Sequence, residues 1–335
     1  MNKEEMAALQ ALSRDVYTGK TGNFSSGVSG DDALRKLMYE ALDINEDTSS
    51  RAMRTAWDMN KPKVFQIIDI ALDAIVPTLV TNQFDSLATV QTIALGDVQR
   101  FTVKNKNLFK VGLIASGTQN LRRQNIENSN YTVATDWYGV KTYTEFEQFL
   151  TGTTDWAGFV DTIARSFVTF TGEKIYNAFA ASYDSVRTNL KAEGTFDLDT
   201  LLKLSRHVRA ASGTQNVKVY GTVTALSGIA SKLDLSEKMK DKLNENGYLT
   251  TVRGLDLYAF PDAYKAGTQN FIVDEKSLLV IPGDEKIVDV VYEGDSQTIE
   301  DVAADNTTLQ MNFDTRKKMG IQVKKASVYG FYKLT

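Results

Sequence analysis

One stretch of this chain, TDWAGFVDTIARSFVTFTGEKIYNAFAASY from Thr154 to Tyr183, constrains what the rest can fold into. Apolar side chains at Trp156, Phe159, Val160, Ile163, Phe167, Phe170, Ile175, Ala178 and Phe179 recur at three- and four-residue steps, which lines one face of a long helix. Thr154 is placed to cap its start, and Asp155 complements the positive end of the helix dipole. Gly172 costs roughly 1 kcal/mol relative to alanine inside a helix, so a bend is expected there. At about 1.5 Å per residue the element is roughly 45 Å long, too long for one small core. It is a spine, with an extended, turn-rich arm before it and an α/β segment after.

At 335 residues and 42% hydrophobic, the chain has apolar content for two or three cores, and disorder as its global state is excluded. A net charge of -4 and a pI near 5.3 argue against a broad basic face for nucleic acid, although not against enclosing it. Absence of cysteine removes disulfides, thiolate catalysis and most structural zinc sites. The opening MNKEEMAALQALSRD has no secretory pattern. The greasiest run, Ile67 to Val80, is interrupted by Asp69, Asp73 and Pro77, which marks an amphipathic helix rather than a membrane span. A soluble, cytoplasmic protein is expected.

Residues 1–60 read as a charged helical leader with little core of its own, broken by the flexible TGKTGNFSSGVSG at 18–30. Within 61–94 a helix with one buried face (Val64, Ile67, Ile68, Ala71, Ala74, Ile75) is expected to stop or kink at Pro77. Segment 95–150 begins with two strand-like runs, Val98 to Lys104 and Leu108 to Ile114, joined by Asn105, Lys106 and Asn107 as a hairpin. Residues 115–130 then offer few core-forming side chains beyond Leu121 and Ile126, so this piece is either mobile or braced on another molecule. An aromatic strand, Tyr131 to Leu150, swings back to the spine at 151–195. Segment 196–286 alternates helices (Asp197 to Ala211, Leu226 to Leu243) with strands (217–223, 248–260, 270–273, 277–281), the order of a compact α/β domain. Strands at 287–292, 308–313, 319–325 and 326–333 close the chain against the spine. The echo SGTQN at 116 and 212, with GTQN at 267, has unequal spacing and is turn chemistry rather than a repeat.

Catalytic patterns are thin. TGKT at 18–21 would need a glycine where Arg14 stands to be a phosphate-binding loop, and no strand precedes it. The one histidine, His207, is flanked by Arg206 and Arg209, which oppose its charging, and reads as a surface residue. Glu293, Asp295, Glu300, Asp301 and Asp305 lack calcium-loop spacing and read as a solvated loop. Glu145 and Glu147, two apart on one strand face, read as solvent-edge alternation rather than an acid and base pair. No catalytic, cofactor or metal residue is assigned. Lys104, Lys106, Lys110, Arg122 and Arg123 make the arm locally basic; a phosphate-binding tip and a solvated, energetically neutral set are alternatives to the favoured reading, pairing with acidic residues of a neighbouring subunit, since five cations over twenty residues form no aromatic-interleaved platform.

The order of parts carries a resemblance. A helical leader, an arm ending LFKVGLIASGTQNLRRQ, a returning aromatic strand, a spine opening TTDWAGFVDTIARSFVTFTGEKIYNAF, an α/β domain and a closing DNTTLQMNFDTRKKMGIQVKKASVYGFYKL resemble the major capsid proteins of tailed bacteriophages with the HK97 fold. The Gly152, Asp155, Trp156 spine start and the Met319-Gly320 strand contribute to it. The resemblance implies an α+β fold with an N-terminal arm, an E-loop lying over the adjacent subunit, a peripheral domain of spine helix and β-sheet, and an α/β axial domain. It implies a non-enzymatic subunit that assembles with itself into pentamers and hexamers of an icosahedral head, enclosing double-stranded DNA without sequence-specific binding. Portal, scaffold or decoration proteins are implied as further partners, with no membrane, assembly in the host cytoplasm and residence in the virion. No covalent crosslink is assigned, and no removal of the leader is expected. Inter-subunit contacts fall on Lys104, Lys106, Lys110, Leu121, Arg122, Arg123 and Ile126, and the spine core on Trp156, Phe159, Ile163, Phe167 and Phe170. The alternatives are an encapsulin-like compartment holding a protein cargo and, from another class, a hydrolase or transferase built on the α/β part and tested at His207.

Overall fold

The computed structural model describes residues 3–18, 30–45, 47–103, 108–114, 116, 121–126, 128–151, 154–283, 285–300, 310–324 and 328–334. The chain divides into two compact units. The first holds Met1–Val98, Ala134–Gly172 and Val290–Ile321; the second holds Gln99–Val133, Glu173–Asp289 and Gln322–Thr335.

In the first unit, helices α1 (Lys3–Thr18) and α2 (Gly30–Leu42) pack on α3 (Ser50–Phe84). Leu9, Leu34, Met38, Leu42, Met53 and Trp57 are buried, so the leader contributes to a core that sequence reading withheld from it. Helix α3 also continues through Pro62 and past Pro77, where a stop or kink was expected. A helical proline costs about 3 kcal/mol. Burial of Leu72, Ala74, Ile75, Val76 and Val80 around Pro77 outweighs that. By length and composition alone α3 could cross a membrane, yet most of its apolar stretch is buried within the protein.

Strands β1 (Ala88–Ile93), β4 (Asp136–Glu145), β10 (Val288–Ile299) and β11 (Gln310–Val323) form a sheet in the order β1-β10-β11-β4. β4 and β11 are antiparallel, with Val140 opposite Thr315 and Tyr143 opposite Asn312. The closing strands expected at 308–313 and 319–325 are one strand, β11. Short helix α4 (Phe146–Leu150) follows β4 and leads to the spine, α5 (Trp156–Ser182). The spine is unbroken at Gly172. Its cap differs from expectation: Asp155 Oδ1 accepts from the Gly158 N–H at 2.8 Å, while the buried Thr154 hydroxyl finds no hydrogen-bond partner among the described residues. Trp57, Phe65, Phe149, Trp156, Phe159 and Phe313 meet in one aromatic cluster; Trp57 stacks on Trp156 at 6.5 Å and Phe159 lies 5.0 Å from Phe313.

The second unit holds a six-stranded sheet in the order β5-β12-β9-β6-β8-β7, built from β5 (Lys191–Gly194), β6 (Val217–Gly221), β7 (Thr251–Val252), β8 (Leu255–Ala259), β9 (Ser277–Pro282) and β12 (Gly330–Leu334). The chain's last strand therefore lies here, parallel to β5 and antiparallel to β9, rather than in the spine's sheet as expected. Helix α6 (Leu198–Ser212) starts at Asp197, whose carboxylate accepts from the Thr200 N–H at 3.0 Å, and ends at Gly213 with φ 74°. Leu201, Leu204 and Val208 face a core shared with Val219, Leu226, Leu257 and Val280. The helix expected over 226–243 is two, α7 (Val223–Ala230) and α8 (Glu237–Asn246), and 270–273 supplies only a bridge from Tyr264 to Phe271. Of the SGTQN echoes, Gly213 and Gly267 do occupy left-handed turn positions.

Candidate functional site

The arm begins and ends in a two-stranded ribbon. β2 (Arg100–Val103) pairs antiparallel with β3 (Ser129–Thr132), so the hairpin expected between 98–104 and 108–114 is not formed. Phe101 stacks on its cross-strand partner Tyr131 at 5.5 Å. The Tyr131 hydroxyl donates to Asp289 Oδ2, and Lys324 Nζ stands 3.5 Å from Oδ1, an ion-pair distance. Burial pushes the Asp289 carboxyl up, against the opposing pull of Tyr131 and Lys324. Burial also raises the Tyr131 phenol.

Beyond the ribbon, residues 108–114 and 121–126 belong to no helix or strand. They touch at two places. The Gln124 side-chain amide accepts from the Lys110 N–H and donates to the Lys110 carbonyl, both at 2.9 Å, doing for one residue what a ladder partner would do. At Gly112 an added Cβ would stand 3.3 Å from Leu121 Cδ2, so the two limbs lie close. Their apolar side chains stand in solvent: Leu108, Val111 and Leu113 are 94%, 98% and 104% exposed, and Phe109, Ile114, Leu121 and Ile126 are exposed as well. Lys110, Arg122 and Arg123 are exposed beside them, while Lys104 and Lys106 lie outside the described residues. Exposed apolar side chains in this number make the arm the candidate interaction surface of the described residues.

Of the spine residues, Trp156, Ile163 and Phe167 are buried; Phe159 and Phe170 are half-buried against Phe313 and Tyr138. His207 is exposed on α6. Glu145 ends β4 whereas Glu147 lies in α4, so they do not share a strand face. The acidic run is no solvated loop where it is described. Glu293 is buried in β10 and accepts from the Gly96 N–H at 2.9 Å, from the Thr135 hydroxyl and from Lys318 Nζ at 2.7 Å. Those donors, Lys318 foremost, hold its carboxyl down at about 2. Glu300 pairs with Lys61, and Asp301 and Asp305 lie outside the described residues. Among the described residues no cluster of acidic or histidine side chains could hold a metal ion. Tyr131, Gln124 and Asp289, which hold the arm, were missed. Their contacts join residues 14 and 158 positions apart, beyond the reach of local spacing.

A long helix against a four-stranded sheet, an α/β unit and an extended arm make up an HK97-type fold. The chain is similar to the mature capsid of bacteriophage PhiM1 (TM-score 0.53, 12% identity, covering 75% of this chain and 86% of that one). It is likewise similar to the capsid of a native GTA particle (TM-score 0.51, 12% identity, 76% and 90%). The chain belongs to the family described as "SPbeta prophage-derived putative capsid protein YonB", whose model matches residues 11–332. It is a structural, non-enzymatic subunit of a virion capsid. A search of curated proteins returns no match.

Proposed function

We propose that this subunit builds an icosahedral head from pentamers and hexamers, with the arm of each copy lying on its neighbour, and that the shell encloses double-stranded DNA. The observation that carries this reading is the run Leu108, Val111 and Leu113, almost fully exposed on an arm with no core beneath it. An isolated subunit leaves that surface in water at roughly 25 cal/mol per Å². A neighbour that covers it gains this back, and repetition around a closed shell multiplies a weak contact. Arg122, Arg123, Lys110, Leu121 and Ile126 are the further contact residues of this reading. The spine and the four-stranded sheet serve as the peripheral part, and 196–286 with β12 as the axial part. The acidic balance of the chain suits a container that does not grip its DNA. Assembly in the host cytoplasm, with a portal and with scaffold or decoration proteins, belongs to the same reading.

Deleting 108–126, which removes the exposed apolar run and leaves β2 and β3 intact, tests it. Folded subunits that no longer close into particles under negative-stain electron microscopy are expected; normal particles would overturn the role given to the arm. Nuclease-protected DNA inside wild-type particles is expected, and a protein cargo in its place would overturn the DNA container.

A further inference from the structure

We propose that the outer edge of β4 receives the arm segment 108–114 of a second copy of this chain as an added strand. This rests on the assembly reading above and extends it by naming the acceptor and the mode of contact. β4 is the last strand in the order β1-β10-β11-β4, and among the described residues no strand lies beyond it. An edge strand presents main-chain donors and acceptors that template another chain, and proteins protect such edges by shortness, charge, proline or a bulge; on the solvent face of β4 the one lysine is Lys141, between Trp137 and Tyr143. β4 has ten residues and no proline. Its solvent face carries two large aromatics, Trp137 at 43% and Tyr143 at 61% exposure. Six residues apart, they mark a strip of about 20 Å.

The segment LFKVGLI has the matching length and pattern. Phe109, Val111 and Leu113 alternate with Lys110 and Gly112, so in a pleated conformation the three apolar side chains fall on one side. Laid along β4, that side covers the strip from Trp137 to Tyr143 while the main chains pair. Charge agrees: Asp136 and Glu145 stand at the two ends of β4, and Lys110, Arg122 and Arg123 are the arm's exposed cations. The occupant is a second copy because the neighbours of a capsid subunit in a closed shell are copies of itself.

Absence of cysteine makes the test clean. Lys141→Cys on the solvent face of β4 is combined in turn with Phe109→Cys, Lys110→Cys, Val111→Cys, Gly112→Cys and Leu113→Cys, and shells are oxidised and run on a non-reducing gel. A ladder of linked subunits that rises at 109, 111 or 113 and falls at 110 and 112 is expected, with none when Glu237→Cys on α8 replaces Lys141→Cys. Shells that form and give no ladder through position 141, or one without the two-residue alternation, overturn the strand addition and leave the assembly reading standing. A cysteine-free parent that forms no shells overturns that reading, and the inference with it.

Discussion

Lys317 of β11 points its ammonium group at the carboxylate of Asp73 on α3, inside the first unit and only 2% exposed. Its Nζ also donates to Ser296 Oγ at 3.0 Å and lies 5.4 Å from the centre of the Tyr292 ring. Asp73 accepts from the Ser296 N–H at 2.9 Å. One turn earlier, Asp69 accepts from the Thr298 hydroxyl at 2.6 Å. The two carboxylates that interrupt the greasiest run of the sequence thus tie α3 to β10 and β11, and fix the register of a helix whose apolar contacts alone would let it slide.

Removing one partner of that pair should be costly. Lys317→Met leaves Asp73 without its counter-charge, and a loss of about 3–5 kcal/mol is expected in urea unfolding of the dissociated subunit. The double variant Lys317→Met with Asp73→Leu should recover only part of it, because it removes the unpaired charge but leaves the Ser296 N–H and hydroxyl without their acceptor.

Asp69 gives the subunit a pH dependence of known sign. Burial raises its pKa from 3.8 to about 6 in the folded chain. The folded state therefore holds this proton more tightly than the unfolded one. The associated stability is fully present below pH 3.8 and is lost as pH rises through about 6. Asp69→Asn keeps an acceptor for Thr298 and should remove this contribution, seen as a flatter unfolding midpoint from about pH 4 to about pH 7.

Glu293 acts in the opposite direction. Its pKa, lowered from 4.5 to about 2 by Lys318, Thr135 and the Gly96 N–H, supplies stability present above pH 4.5 and lost as pH falls through about 2. Glu293→Gln should lower the midpoint at neutral pH and weaken its fall on the acid side, read by circular dichroism melts across that range.

At the arm's base, Tyr131→Phe deletes the donor to a buried carboxylate while keeping the stack on Phe101. A loss of about 1–3 kcal/mol is expected. Faster hydrogen exchange in β2 and β3 than in β6 of the same molecule should locate it.

What was legible in the sequence was whatever is periodic and local. The spine stripe and the shortage of core residues in the arm follow from spacing and residue type. Pairings across the chain were not. β2 finds β3 over an arm of 25 intervening residues, β12 joins the other sheet, and Glu293 is neutralised from Lys318, so each looked like something else in isolation. Helix α3 outruns Pro77 because tertiary burial overrides local propensity. Asp69 and Asp73 were read as breaks in an apolar run, when their partners lie more than 200 residues away.

The central claim is that the arm holds its shape only against another copy. Hydrogen–deuterium exchange of 108–126, measured in intact shells and in dissociated subunits, tests it most directly. Protection in shells and near-complete exchange in the free subunit is the predicted result. Equal, strong protection of the arm in the dilute free subunit would contradict it.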